Sequence, residues 1–600
     1  MDYRPKSYLN IPNQTLTTLS FCDPSARQLK AWVNSLPMAN IGETARQLYH
    51  ALIEFNQLSL NDPSRLELMD LVRTPVHYIC TALNQKYLNQ GVVLDDQQRK
   101  VANLAQALQT HLATGYRIII QHLLDQGTLK QKSLMAKAVH RTLSDLVPAI
   151  LRSYKLYTPT TPGLWREVHQ LFQIASAFNL HTTEIEEPSD ESRLSIQSVY
   201  LKALLLGASQ PNQLLQRELT DVFHALGYWV NKLEVDEVAD ERSVLVINPE
   251  ADHPPQYSYL IKSSQFSDYL GVNTLPLVRL LHTELKLMAK EGIAAASGRR
   301  ADIRIPEAIN SALLEHLVQS WGGMKQRAFS RTQANGRVTI TVGLTGTHFH
   351  MSGGIGFYSQ LYGQSASTEN PFIGAVSSRF AALETQAIKS QKDVWDQSFD
   401  VGQRRMGQPA EEESIDFPQE AAEDHPIYKG QLVNVSPRGY CIQWSEKAAN
   451  NLKTGEVVAI KEEKLQHWNL GVVRWLRQSK DAGTQMGVEL IAPNSQPCGI
   501  RQLHKTGAHG DYLRGLYIPE IRAIGQDASV LTPRMPFQIG NKVSINISGN
   551  ETKYQLTKKI LSTGILSQFQ IRKVSQRPGE EAPESRPGPD DSFESLWRQL

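Results

Sequence analysis

Leu432-Val-Asn-Val-Ser-Pro-Arg-Gly-Tyr-Cys-Ile-Gln-Trp444 reads as a hydrophobic strand that enters a polar turn and returns as a second strand. Asn434 and Ser436 stand two residues apart, so on a strand their side chains point to one face. Gly439 permits a backbone conformation, or a close approach of ligand, that other residues avoid. A short amide and a hydroxyl on one face suit the hydrogen-bonding edge of a guanine. They equally suit a β-turn in which Asn and Ser bond their own backbone.

Outward from this hairpin, the strand pattern continues on both sides. GRVTITVGL lies upstream, and EVVAIKE, WNLGVVRWLRQ and MGVELIA lie downstream, with Gly, Asn and Lys between them. The set predicts a small antiparallel barrel over residues 325–500. Residues 347–428 read as an insertion between two adjacent strands, acidic toward its end. A second strand-rich block, 512–574, predicts another small barrel. The segment 575–600 has linker composition and ends in SFESLWRQL, where Phe593, Leu596, Trp597 and Leu600 share one helical face. That end suits a docking peptide or a tail tucked against its own protein.

Residues 1–240 place apolar side chains at helical spacing, as in ARQLYHALIEFNQL and VANLAQALQTHL, with breakers such as Asn61-Asp-Pro63 between. This predicts a solenoid-like α-helical scaffold. Residues 241–324 read as mixed, with strands over 243–247 and 257–261 followed by two helices. The whole is a multidomain α+β chain.

The 600 residues carry 62 Lys+Arg against 60 Asp+Glu, a net charge of +2, so no global field favours DNA or membrane. The four cysteines form no CxxC pair, which suggests neither a disulfide framework nor a zinc site. The N-terminus lacks a signal-type apolar core, and runs such as Arg117-Ile-Ile-Ile120 are too short to span a bilayer. A cytoplasmic protein without direct membrane insertion is expected. His348 and His350 are two apart, but no third metal ligand is evident. No P-loop, G-x-S-x-G or H-E-x-x-H motif points to turnover.

Arg327-Ala-Phe-Ser-Arg331 precedes the first barrel strand by a few residues. A guanidinium can grip phosphate bidentately or stack on a purine, so an i, i+4 pair suits a nucleotide; it also suits a solvated basic face. A second such pair, Arg300-Ala-Asp-Ile-Arg304, competes with it. The order RxxxR, strand, (D/N)xSxxG, strand, then Gly471-Val-Val-Arg-Trp475 and Gly487-Val-Glu-Leu490 resembles the PilZ domain family.

PilZ domains are bacterial receptors for cyclic di-GMP built on a six-stranded barrel. The resemblance implies that Arg327 and Arg331 hold phosphates and guanines, and that Asn434, Ser436 and Gly439 line one guanine. It implies a signalling effector with no cofactor and no catalysis. Nucleotide binding would then alter the scaffold–barrel arrangement and the contact with a protein partner, made through the helical region, the insertion or the tail. The alternative is a protein-interaction scaffold whose barrel keeps the fold without the ligand. Nucleic-acid binding is not expected, because no basic groove with interleaved aromatics appears. Two departures stand out: the insertion 347–428 lies where the family has a short hairpin, and Arg327 and Arg331 are preferred over Arg300 and Arg304 only because a strand follows them within a few residues. The second barrel begins similarly with Asn546-Ile-Ser548, but Glu551 stands where the glycine should be and no RxxxR precedes it, so it reads as a degenerate PilZ-like barrel with a structural duty.

Overall fold

The computed structural model describes residues 9–574 apart from 90, 127–129, 188–189, 292–302, 324–330, 363–424, 446–447, 466, 480–482, 505–509 and 521–524. The described chain forms two compact units. One takes residues up to Phe357, most of 425–496, and 562–567; the other takes 358–362, 497–561 and 568–574.

The first unit begins with helices packed around two long ones, Asp96–Asp125 and Lys132–Lys155. Asp95 caps the first of these: its carboxylate accepts from the Gln98 amide at 2.7 Å, and the Gln98 side chain accepts from the Asp95 amide at 3.0 Å. Asn61 caps the helix Asp62–Asn84, accepting from the Ser64 amide at 2.9 Å, and Asp62 is the acid of its first turn. Ile118, Ile119 and Ile120 are all fully buried, so this apolar run is a core helix surrounded on every side. Among the described residues no helix is long and apolar enough to cross a membrane.

A hairpin of Glu184–Glu187 (β1) and Asp190–Ser195 (β2) is tied to these helices by buried charge. Glu187 meets Arg73 at 3.3 Å and Arg141 at 2.9 Å, and Arg73 meets Asp145 at 2.6 Å. Each carboxylate faces a guanidinium, which is what lets them be buried. Leu245–Ile247 (β3) pairs with Gln256–Tyr257 (β4) and Leu270–Val272 (β5). The strand expected over 257–261 stops at Tyr257, because Ser258–Leu260 turns into a short 3-10 helix. The helix Ser311–Trp321 follows, its last ring buried against Trp229.

The first barrel comprises Thr332–Val342 (β6), Tyr428–Ser436 (β7), Gly439–Trp444 (β8), Val457–Glu462 (β9), Asn469–Ser479 (β10) and Gly483–Ala492 (β11). The strands run β10–β11–β8–β7–β6–β9, and β9 pairs back to β10, closing the sheet. Closure leaves no sheet edge to solvent. Val338, Ile340, Leu432, Ile442, Met486 and Val488 fill the interior. Two residues of the helical region, Val92 and Tyr157, belong to this same core. The Gln478 amide donates to the Tyr157 carbonyl at 2.7 Å, and the Gln478 side chain donates to the Val92 carbonyl.

The second barrel contains Gln496–Gln502 (β12), Leu513–Ile518 (β13), Ser529–Pro533 (β14), Lys542–Ile547 (β15), Asn550–Ser562 (β16) and Leu566–Lys573 (β17). It closes in the order β12–β13–β14–β17–β16–β15. It therefore opens at Gln496, ahead of the segmentation read from the sequence. The insertion after β6 begins with two helices, Leu344–Met351 and Phe357–Tyr362. The rest of it through 424, and the segment 575–600 with its apolar face, lie outside the described residues.

Candidate functional site

The β7–β8 turn is as tight as the sequence suggests: Ser436 pairs with Gly439 across Pro437-Arg438. What the sequence does not reveal is the phase of β7. Leu432 faces the core, and strict alternation would send Asn434 and Ser436 inward too. A register shift between Leu432 and Asn434 inserts Val433 as an extra residue. This bulge reverses the alternation beyond it. Val435 and its partners Tyr440 and Val488 then pack on the core, while Asn434 and Ser436 face outward.

Two parallel rows result on the outer face. One runs Ser436, Gly439, Glu489 across β7, β8 and β11; the other runs Asn434, Cys441, Gly487 across the same strands and continues to Trp475 on β10. A Cβ on Gly439 would collide with the Val488 carbonyl, so glycine is required there by close approach of backbone. A Cβ on Gly487 would collide with the Trp475 indole, which lies over it.

β6 supplies the edge of the patch. Gln333 pairs with Asn434 and Thr332 with Val435, so the register continued by one residue sets Arg331 beside Ser436. Burial pushes the Cys441 thiol up, and the Arg331 guanidinium is close enough to pull against it. Arg331, Asn434, Ser436 and Gly439 therefore occupy one patch. Arg327 and Arg300 lie outside the described residues. Arg304 sits elsewhere, its guanidinium 4.4 Å over the Tyr228 ring and its carbonyl accepting from the Trp229 indole at 2.8 Å.

Ser436 Oγ donates to the Gly439 carbonyl at 3.3 Å, a bond within the turn. The hydroxyl keeps its lone pairs for a ligand donor. The Asn434 amide makes no side-chain hydrogen bond among the described residues. Trp475 and the ion pair of Arg474 with Glu489, 2.5 Å apart, lie in the strand pair that carries the family likeness and are members of this surface that the likeness did not assign to the ligand. The sequence offers one signal for Trp475: a glycine on the neighbouring strand positioned to accommodate a large ring.

In the second barrel the comparable polar groups are already engaged. Asn546 Nδ2 donates to the Leu361 carbonyl at 3.3 Å, Asn546 Oδ1 accepts from the Gly549 amide at 2.9 Å, and the Leu361 side chain lies against Gly499. Glu551 takes Arg501 at 2.7 Å and the Ser544 hydroxyl at 2.5 Å. Arg501 also covers the Tyr512 ring at 4.5 Å. His348 and His350 lie on a helix, where a spacing of two sends side chains to different sides. Among the described residues no group of three His, Cys, Asp or Glu could hold a metal ion.

A closed six-stranded antiparallel barrel that displays an amide, a hydroxyl and an arginine around a glycine-opened turn is a PilZ-type barrel, here preceded by helices and followed by a second barrel. Three family models cover the chain in that order: the N-terminal domain of the cyclic-di-GMP receptor FimW over 27–240, its middle PilZ domain over 244–497, and its C-terminal beta-barrel domain over 498–574. The chain belongs to the FimW family. It is 37% identical over 614 residues to the cyclic-di-GMP receptor FimW of Pseudomonas aeruginosa, a match spanning 99% of each chain. No solved structure matches it.

Proposed function

We propose that this protein is a cytoplasmic cyclic di-GMP receptor that signals by binding and catalyses no reaction. The observation that carries the reading is the outward row at Ser436 and Gly439 with Arg331 beside it. Arg331, with Arg327 four residues before it, would clamp phosphates and stack on guanine, while Asn434 and Ser436 take one guanine's polar edge. Such a set supports micromolar or tighter binding, about 8 kcal/mol.

The segment carrying the arginines joins β6 directly to the helix Ser311–Trp321, whose Leu314, Leu317 and Trp321 belong to the helical core. Ligand that binds the arginines of this segment gains leverage on the helical scaffold 1–240 and on the mixed region 241–324. The shift in population is limited by the difference in affinity between the two arrangements. A protein partner would read that change through the helical region, the insertion or the tail.

Calorimetry with cyclic di-GMP tests the site. Arg327→Ala/Arg331→Ala is expected to abolish measurable binding, and binding unchanged in the double variant removes the assignment. The turn bond from Ser436 to Gly439 favours a second reading, an interaction scaffold without nucleotide. Partners captured equally with and without cyclic di-GMP would support it.

A further inference from the structure

The (D/N)xSxxG start has an amide, Asn434, where a carboxylate is the other choice. The distinction matters for guanine. Its Watson–Crick edge presents two adjacent donors, N1–H and the 2-amino group. A carboxylate meets both with acceptors and with charge; a carboxamide offers one acceptor oxygen and a competing donor.

The structure places a carboxylate on the same row. Glu489 pairs with Gly439, which pairs with Ser436, so the three lie in line on the outer face, spanning roughly 10 Å across two strand spacings. Gly439 presents no side chain between Ser436 and Glu489. Arg331 closes the opposite end of the row. The row is thus cationic at one end and anionic at the other, matching a ligand whose phosphates and guanine edges lie at different places. Glu489 Oε2 is held by Arg474 Nε at 2.5 Å, and Oε1 has no partner among the described residues. Both side chains are 40% exposed, within reach of a surface ligand.

We infer that Glu489 reads the N1–H and 2-amino donors of a bound guanine, and that Arg474 is the positioning residue that holds its carboxylate in the row. This rests on the receptor reading above and adds the source of its base selectivity. Arg474 also keeps the carboxylate oriented when no ligand is present, which lowers the ordering cost of binding.

Calorimetry on the full chain with cyclic di-GMP and with its inosine analogue, which lacks the 2-amino group, tests the inference. The wild type is expected to prefer the guanine form. Glu489→Gln is expected to bind cyclic di-GMP about 10- to 100-fold more weakly. Its loss for the inosine form is expected to be smaller, so the preference collapses, and retained inosine binding shows that the variant is folded. Arg474→Gln is expected to erode the same preference to a lesser degree. Wild type that binds cyclic di-GMP while Glu489→Gln keeps its preference, or loses both ligands equally, overturns this inference alone. A wild type that binds neither ligand overturns the receptor reading beneath it.

Discussion

Trp475 shows how one residue's role depends on its neighbour across the sheet. The indole lies over Gly487, in the row that contains Asn434 and Cys441, and any side chain at 487 would lift it off the barrel. A flat ring beside outward polar groups would serve a bound base as a stacking platform, and base–aromatic stacking contributes about 1–3 kcal/mol per base. Trp475→Ala is therefore expected to weaken cyclic di-GMP binding about 10- to 100-fold by calorimetry, and Trp475→Phe to retain most of it. Motif spacing locates Asn434, Ser436 and Gly439, but it says nothing of which face a ring on the next strand takes. That face depends on a second register shift, between Val473 and Trp475.

Bulges and caps explain what was legible among the elements. The strands of both barrels can be read from alternation, and the helices from apolar spacing, because each buries one face. The outward phase of Asn434 is not legible, because it depends on one extra residue at Val433 that no local pattern marks. The hairpin β1–β2 is not legible for a related reason: its residues are mostly polar, and buried arginines of neighbouring helices hold Glu187 in place. The helix Leu164–Ala177 carries a further device. His169 is buried between Tyr200, whose hydroxyl donates to Nδ1 at 2.8 Å, and the His253 carbonyl, which accepts from Nε2 at 3.0 Å. Burial pulls its pKa down to about 4. A base with a depressed folded pKa is protonated more readily when unfolded, so its contribution is full above about 6.5 and is lost as pH falls toward 4. The difference corresponds to roughly 3 kcal/mol. Denaturant unfolding across this range is expected to show stability falling with acid, with a shallower fall in His169→Gln.

On the scale of the whole molecule, Tyr157 governs what the scaffold and the first barrel can do separately. It is 2% exposed, has φ of 55°, and its hydroxyl donates to the Leu214 carbonyl at 2.9 Å while its ring sits in the barrel core. Any ligand-driven rearrangement of scaffold against barrel must pivot about this side chain or withdraw it. Tyr157→Ala is expected to cost about 3–5 kcal/mol, lowering the denaturation midpoint of helices and barrel together in one transition. The helix Phe357–Tyr362 has a different bearing. Its Leu361 serves the second barrel, yet it is encoded before five of the first barrel's six strands. Grafting 497–574 onto another receptor would deliver that barrel with its Asn546 and Gly499 surface uncovered. A working chimera must transplant two distant stretches of the gene, so recombination at a single junction cannot exchange this module intact.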